Sequence, residues 1–153
     1  MGFTAAGIDT DTVTTTQQAP LGFVMTKMDQ TLDASGNIAG YGTQEWVYVK
    51  TSTLLAKGEV CGRAIGAITT PFVVGKSVAA DTAMAVVGVA QHEIASGSYG
   101  FVLRRGVGSV MCDATPTQGN ALITAAAGRV GIFANGEEEK VIGQAFATPT
   151  GAG

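Results

Sequence analysis

The chain has 153 residues, 46% of them hydrophobic and 14% charged, with a net charge of −3. That balance suits one domain with its own core and excludes a disordered tail. Proteins that grip phosphate backbones carry a basic patch, whereas the basic residues here are scattered, with Arg104-Arg105 as their one adjacent pair, so no nucleic acid is expected as partner.

The opening "MGFTAAGIDT" has neither the basic region nor the apolar stretch of a secretory signal. Ala6 stands where a myristoylation signal needs Ser or Thr. "DTDTVTTTQQAP" (Asp9 to Pro20) is rich in Thr and Gln and has no apolar rhythm. Residues 1–20 therefore read as an extended N-terminal arm, which orders only where a partner or a neighbouring copy holds it. Its apolar residues Phe3, Ile8 and Val13 are the candidate contacts.

A β domain is expected over residues 21–148, followed by a short tail at 149–153. "EWVYVKT" (Glu45 to Thr51) alternates, with Trp46 and Tyr48 on one face and Val47 and Val49 on the other. Ala83–Ala90, Tyr99–Arg105, Arg129–Ala134 and Lys140–Phe146 are short, β-branched or aromatic, and bounded by glycine. The last two flank Asn135-Gly136, which predicts a tight hairpin. Ser77–Ala85 and Ala121–Gly128 each offer a turn or two of helix, without an amphipathic stripe.

One pattern recurs at Leu55–Val60, Ile94–Tyr99 and Pro116–Ala121: apolar, two residues, glycine, polar, apolar. It predicts tight corners with glycine at positive φ between strand-like segments. The fold class expected is all-β: a small antiparallel barrel or sandwich with glycine corners and an extended arm.

Chemical sites are sparse. "VVGKSVAAD" (Val73 to Asp81) ends like a phosphate loop, but Thr70 and Pro71 stand where that loop needs glycine and amide donors, so Lys76 is expected in a solvated surface turn. His92 is the single histidine, no serine sits in a nucleophile-elbow pattern, and His92-Glu93 reads as a solvated pair. Cys61 and Cys112 lack the close spacing of zinc ligands and read as buried reduced thiols. Glu137-Glu138-Glu139 reads as a solvated loop rather than a cation site. "RGVGSV" (Arg105 to Val110) has two glycines of a dinucleotide fingerprint but no third, Met111 standing at its place. Trp46 and Tyr48 are either core or aromatic anchors at a subunit contact. Tyr99, Arg104 and Arg105 complete the candidate contact set. No catalytic group, metal or cofactor is expected, and no apolar run approaches a membrane span.

Three stretches carry a resemblance. "YGTQEWVYVKTSTLLAKGEVCG" (Tyr41 to Gly62) resembles the aromatic-Val-x-Val strand, short loop and Lys-Gly-acid-Val corner of the small head decoration, or cement, proteins of tailed bacteriophages. "VVGVAQHEIASGSYGFVLRRGVG" (Val86 to Gly108) is similar to that family's Gly-Val-Ala strand, Ile-x-x-Gly corner and following strand. "GEEEKVIGQAF" (Gly136 to Phe146) is similar to its closing hairpin. Residues 1–20 and 63–82 carry no such likeness. The resemblance implies a non-enzymatic virion protein on the outer surface of an icosahedral capsid, made in the bacterial host cytoplasm. Its partners would be the major capsid protein and further copies of itself, as a homotrimer, with no membrane and no small-molecule substrate. A tail-tube or neck subunit is the alternative, and a small enzyme or sugar-binding module a more distant one.

Overall fold

The computed structural model describes residues 8–63 and 70–146. Among the described residues nine strands form, in chain order: β1 Val24–Met28, β2 Thr43–Thr51, β3 Val60–Arg63, β4 Val73–Lys76, β5 Val86–Val89, β6 Tyr99–Arg105, β7 Ala121–Thr124, β8 Val130–Ile132 and β9 Val141–Gln144. β2 organises the rest. Its period-2 alternation sends Val47 and Val49 inward and Trp46 and Tyr48 outward. One edge of β2 pairs with β6; the other pairs first with β1 and then, through Lys50 and Thr51, with β4. The ring β2-β4-β3-β5-β6 closes back on β2, giving a five-stranded barrel with β1 as an extra strand. A second sheet has the order β8-β7-β9. The all-β class is as expected, but the barrel is not wholly antiparallel, because β2 and β4 run parallel.

Three apolar clusters hold these layers. Val47, Val49, Leu55, Cys61, Val74, Ile94 and Val102 fill the barrel; each large aliphatic side chain fully buried contributes about 1.5–3 kcal/mol. Outside β2 and β6, Trp46, Tyr48, Phe101 and Leu103 are covered by Ile8, Ala19, Leu21 and Phe23. Outside β3 and β5, the second sheet places Leu122, Val130 and Ala145 against Val60, Val86 and Val89.

The second cluster shows what holds the described part of the expected arm: its own barrel, where a partner or a neighbouring copy was expected. Within the described part, Thr10 and Ala19 are buried. Thr14 and Tyr99 exchange both backbone hydrogen bonds, at 3.0 and 2.8 Å. The Gln18 amide donates to the Tyr48 hydroxyl at 3.1 Å. Residues 8–20 thus lie along their own barrel, because the aromatic outer face of β2 and β6 needs a cover.

Other expectations change as well. β8 and β9 do not pair with each other across Asn135-Gly136; β7 lies between them and pairs with both. The local turn signal was overridden by strand pairing. Ala121–Gly128 is β7 followed by a 3-10 turn at Ala126–Gly128, and Ser77–Ala85 is a run of turns. Neither forms an α-helix, since without an apolar stripe a helix there has no face to bury.

The repeated corners are three copies of one turn. Gly58, Gly97 and Gly119 have φ of 86°, 78° and 92°, the left-handed value a type II turn demands at its third residue. The closing amides of Glu59, Ser98 and Asn120 donate to Ala56, Ala95 and Thr117 carbonyls at 3.1, 3.1 and 3.0 Å. In two of them the polar side chain folds back: the Ala56 amide donates to Glu59 Oε2 at 2.8 Å and the Thr117 amide to Asn120 Oδ1 at 2.7 Å. The leading apolar residues Leu55, Ile94 and Pro116 are all buried.

Candidate contact surface

Between β1 and β2 the chain runs "DQTLDASGNIAGYG" (Asp29 to Gly42). Local polar groups shape it into a hairpin. Asp29, largely buried, accepts from the Thr31 amide and hydroxyl at 3.1 and 2.7 Å and from the Tyr41 amide at 3.0 Å, which closes the base. The Thr31 hydroxyl, then the Tyr41 amide, hold its carboxyl below the usual carboxylate range. At the tip, Asp33 Oδ1 accepts from the Ser35 and Asn37 amides at 2.8 and 2.9 Å, and the Asn37 amide is the first cause of its lowered pKa. Glycine is required at position 40, where a Cβ would collide with the Asp29 carbonyl.

None of this uses the hairpin's apolar side chains. Leu32 and Ile38 face each other as an antiparallel bridge and are 59% and 64% exposed. Met28 and Tyr41 at the base are exposed too. The Tyr41 ring meets Phe146 at 4.6 Å between centroids, and that ring is also exposed. Two exposed apolar pairs, Leu32 with Ile38 and Tyr41 with Phe146, thus stand in or against one hairpin, and exposed apolar groups of this kind mark a contact site.

Beside the hairpin base lies a groove of about 670 Å³, walled by Met28, Tyr41, Gln91 and Val107, with Lys27 and Lys57 among its lining. Lys27 is committed: it donates to Thr10 Oγ1 and sits 5.0 Å from the centre of the Trp46 ring. Lys57, at the Gly58 corner, is exposed. The "RGVGSV" segment forms the far wall, fastened by paired bonds of 2.9 Å between Gln91 and Ser109.

The residues singled out for chemistry do not converge. Among the described residues no three His, Cys, Asp or Glu side chains come together as metal ligands. His92 is not the solvated partner of Glu93: it is half-buried and neither ring nitrogen has a hydrogen-bond partner. Burial pushes its pKa down, the Asp11 carboxylate pulls it up and Lys27 pushes it down again. Cys61 lies in the barrel wall, its thiol against the Gly88 carbonyl at 3.3 Å and pushed up by burial to about 12. Cys112 is half-buried rather than buried, and burial and then Asp113 raise its pKa. Such thiols are poor nucleophiles. Gly75-Lys76 ends β4 instead of forming a surface turn, and the Lys76 ammonium is ion-paired with the buried Glu59 at 2.6 Å. Glu137 pairs with Lys140 at 3.1 Å across a single 3-10 turn.

Of the contact residues named from sequence, Phe3 lies outside the described residues. Ile8 is half-buried against the Trp46 cluster. Trp46 and Tyr48 are in the core, so neither ring is available as a surface anchor. Tyr99 is half-buried, stacked on Tyr48 at 6.3 Å with Lys50 5.4 Å from its ring centre. Val13, Arg104 and Arg105 are exposed, and Arg104 approaches Glu45 at 3.5 Å. Met28, Leu32, Ile38, Tyr41 and Phe146 were missed; for Leu32, Ile38 and Tyr41 the signal available was large apolar residues set among Gly, Asp and Ser in one loop, while Met28 ends β1 and Phe146 follows β9.

Comparison with protein-family models, with curated proteins and with solved structures gave no match.

Proposed function

We propose that the chain is a non-enzymatic structural subunit of a virus particle, which binds the outside of an icosahedral phage capsid and bridges its shell subunits. One observation carries this reading furthest: a polar-pinned hairpin that presents Leu32 and Ile38 to solvent on a tightly closed barrel. The barrel supplies rigidity, and the hairpin a contact through which copies join into the one body that bridging shell subunits needs. The sequence resemblance to head decoration proteins supplies the partner, the major capsid protein. Several copies joined into one body touch several shell subunits at once, so modest affinity at each contact gives firm attachment. Exposed apolar side chains on a pre-shaped loop lose little entropy on docking, which helps such contacts.

The test is sedimentation of the purified chain with phage heads assembled without it. Binding that saturates at a simple ratio to the major capsid protein supports the reading, as does the same ratio in purified virions. A protein found only in the tail or neck, at a small fraction of that ratio, sinks the capsid reading in favour of a tail-tube or neck subunit. Failure to sediment with heads, together with absence from virions, ends the virion proposal altogether.

A further inference from the structure

We propose that the Asp29–Gly42 hairpin of one copy docks into the groove beside the hairpin base of a second copy, joining copies head to tail. The hairpin suits this role because it is shaped before contact, by the Asp29 and Asp33 hydrogen bonds. Its tip offers two large apolar side chains side by side, Leu32 and Ile38. Its tip carries one charge, Asp33, and no Lys or Arg stands between Lys27 and Lys50; Asp29 lies at the base, in the lining of the groove.

The groove offers the complement. Its walls include Met28, Tyr41 and Val107, and the exposed ammonium of Lys57 stands at its lining. At about 670 Å³ it lies in the roughly 300–1,000 Å³ range of clefts that enclose a small ligand, room enough for the tip's two side chains. Leu32 and Ile38 are not among the residues that line it; the chain's own tip leaves the cleft open for another. The lining also holds Lys27 and Asp29, both engaged within their own copy; a tip entering the groove sets Asp33 against the exposed Lys57, so charge as well as apolar area favours the pairing.

Each copy carries one tip and one groove, so the contact is heterologous and closes as a ring where the rotation allows. It extends the capsid reading, which calls for a body with several contacts, but self-association is measured without capsids, so the two fail separately.

The experiment is analytical ultracentrifugation of the purified chain over a range of concentrations. Wild type is expected to associate; a monomer throughout overturns the docking. Leu32→Asp combined with Ile38→Asp is expected to give a monomer with an unchanged circular-dichroism spectrum. Lys57→Glu, which sets like charge against Asp33, is expected to weaken association by at least about tenfold, the equivalent of 1.4 kcal/mol. If the double variant fails to fold, Ile38→Lys alone takes its place. The decisive arm mixes the tip variant with the groove variant. Each keeps the half that the other lacks, so the mixture forms a one-to-one dimer. No dimer in the mixture points to tip-on-tip packing and overturns docking in the groove. Oligomers that persist in the tip variant overturn it as well. A chain that associates as expected yet ignores capsids upholds the docking and removes only the capsid reading.

Discussion

Two Leu–Ile bridges stand among the described residues, and they have opposite fates. Leu55 and Ile94 pair where two glycine corners meet, exchanging backbone hydrogen bonds at 3.0 and 2.9 Å, and both are 0% exposed. Leu32 and Ile38 pair near the tip of the β1–β2 hairpin, where the bonds come from their neighbours instead: Asp33 to Asn37 at 2.9 Å and Ala39 to Thr31 at 2.7 Å. In the first place apolar side chains build the fold and the turns follow. In the second, polar turns build the fold and the apolar side chains are left over. Similar residues in similar pairing therefore serve stability in one place and contact in the other.

The sharpest way to break that contrast is to truncate both pairs. Leu55→Ala or Ile94→Ala removes a fully enclosed side chain from the barrel and is expected to cost about 2–5 kcal/mol. Chemical denaturation measures it. A cost below about 0.5 kcal/mol, the range of a surface change, would mean that the corners do not hold the barrel shut.

The glycines of the two regions differ in the same sense. Gly58 and Gly36 share a left-handed backbone, with φ of 86° and 82°. Alanine at either position carries the left-handed penalty of roughly 1–2 kcal/mol. At Gly58 the added Cβ also meets the Met111 amide nitrogen at 3.0 Å, whereas at Gly36 it meets nothing within 4 Å. Gly58→Ala is therefore expected to destabilise the chain more than Gly36→Ala in the same denaturation assay. Equal costs would show that backbone strain alone decides both sites.

Acid separates the regions more gently. His92 has its folded pKa pushed below the usual value by burial, with Asp11 opposing and Lys27 assisting. The unfolded chain then takes up the proton first. The stability that the neutral ring supports is complete above about pH 6.5 and is lost as pH falls from there through the folded value. Asp29 in the hairpin is also depressed, so its contribution is complete above about pH 3.9 and is lost only as pH falls further. Thermal melting between pH 7 and pH 5 should thus fall with a step that His92→Gln removes, while Asp29→Asn leaves that step in place. A step that survives in His92→Gln assigns it elsewhere.

How much of this was legible in the sequence follows from the same physics. β2 and β6 were readable because each has one face inside the barrel and the other under a second apolar layer, which writes strong β-formers at nearly every position. The corners were readable because a left-handed residue all but names itself as glycine. β3 and β4 are four residues long, carry a glycine each and owe their existence to partners far along the chain. No local pattern announces such pairing. The N-terminal segment misled because Ile8 stands far from the rest, while Ala19, Leu21 and Phe23 alternate only across Pro20 and Gly22, in a turn rather than a strand; the aromatic cluster they cover places them. The hairpin's contact residues hid for a different reason. A loop fixed by Asx-type bonds places its side chains by turn geometry, so Leu32 and Ile38 show neither a period of 2 nor of 3.6.

The smallest expected effect on the fold is also the most telling. Leu32→Ala and Ile38→Ala remove exposed groups that no buried cluster includes. Stability should stay within about 0.5 kcal/mol of wild type, a shift at the edge of what denaturation resolves. If selection kept these two side chains for the fold, their loss would register there, as the loss of Leu55 or Ile94 is expected to. If it kept them for contact, their loss registers only when copies or capsids are present, as weaker association by an otherwise intact chain. A marked loss of stability in the isolated chain would place the pair back among the residues that build the domain, and would remove the ground for treating the hairpin as a surface made to be covered.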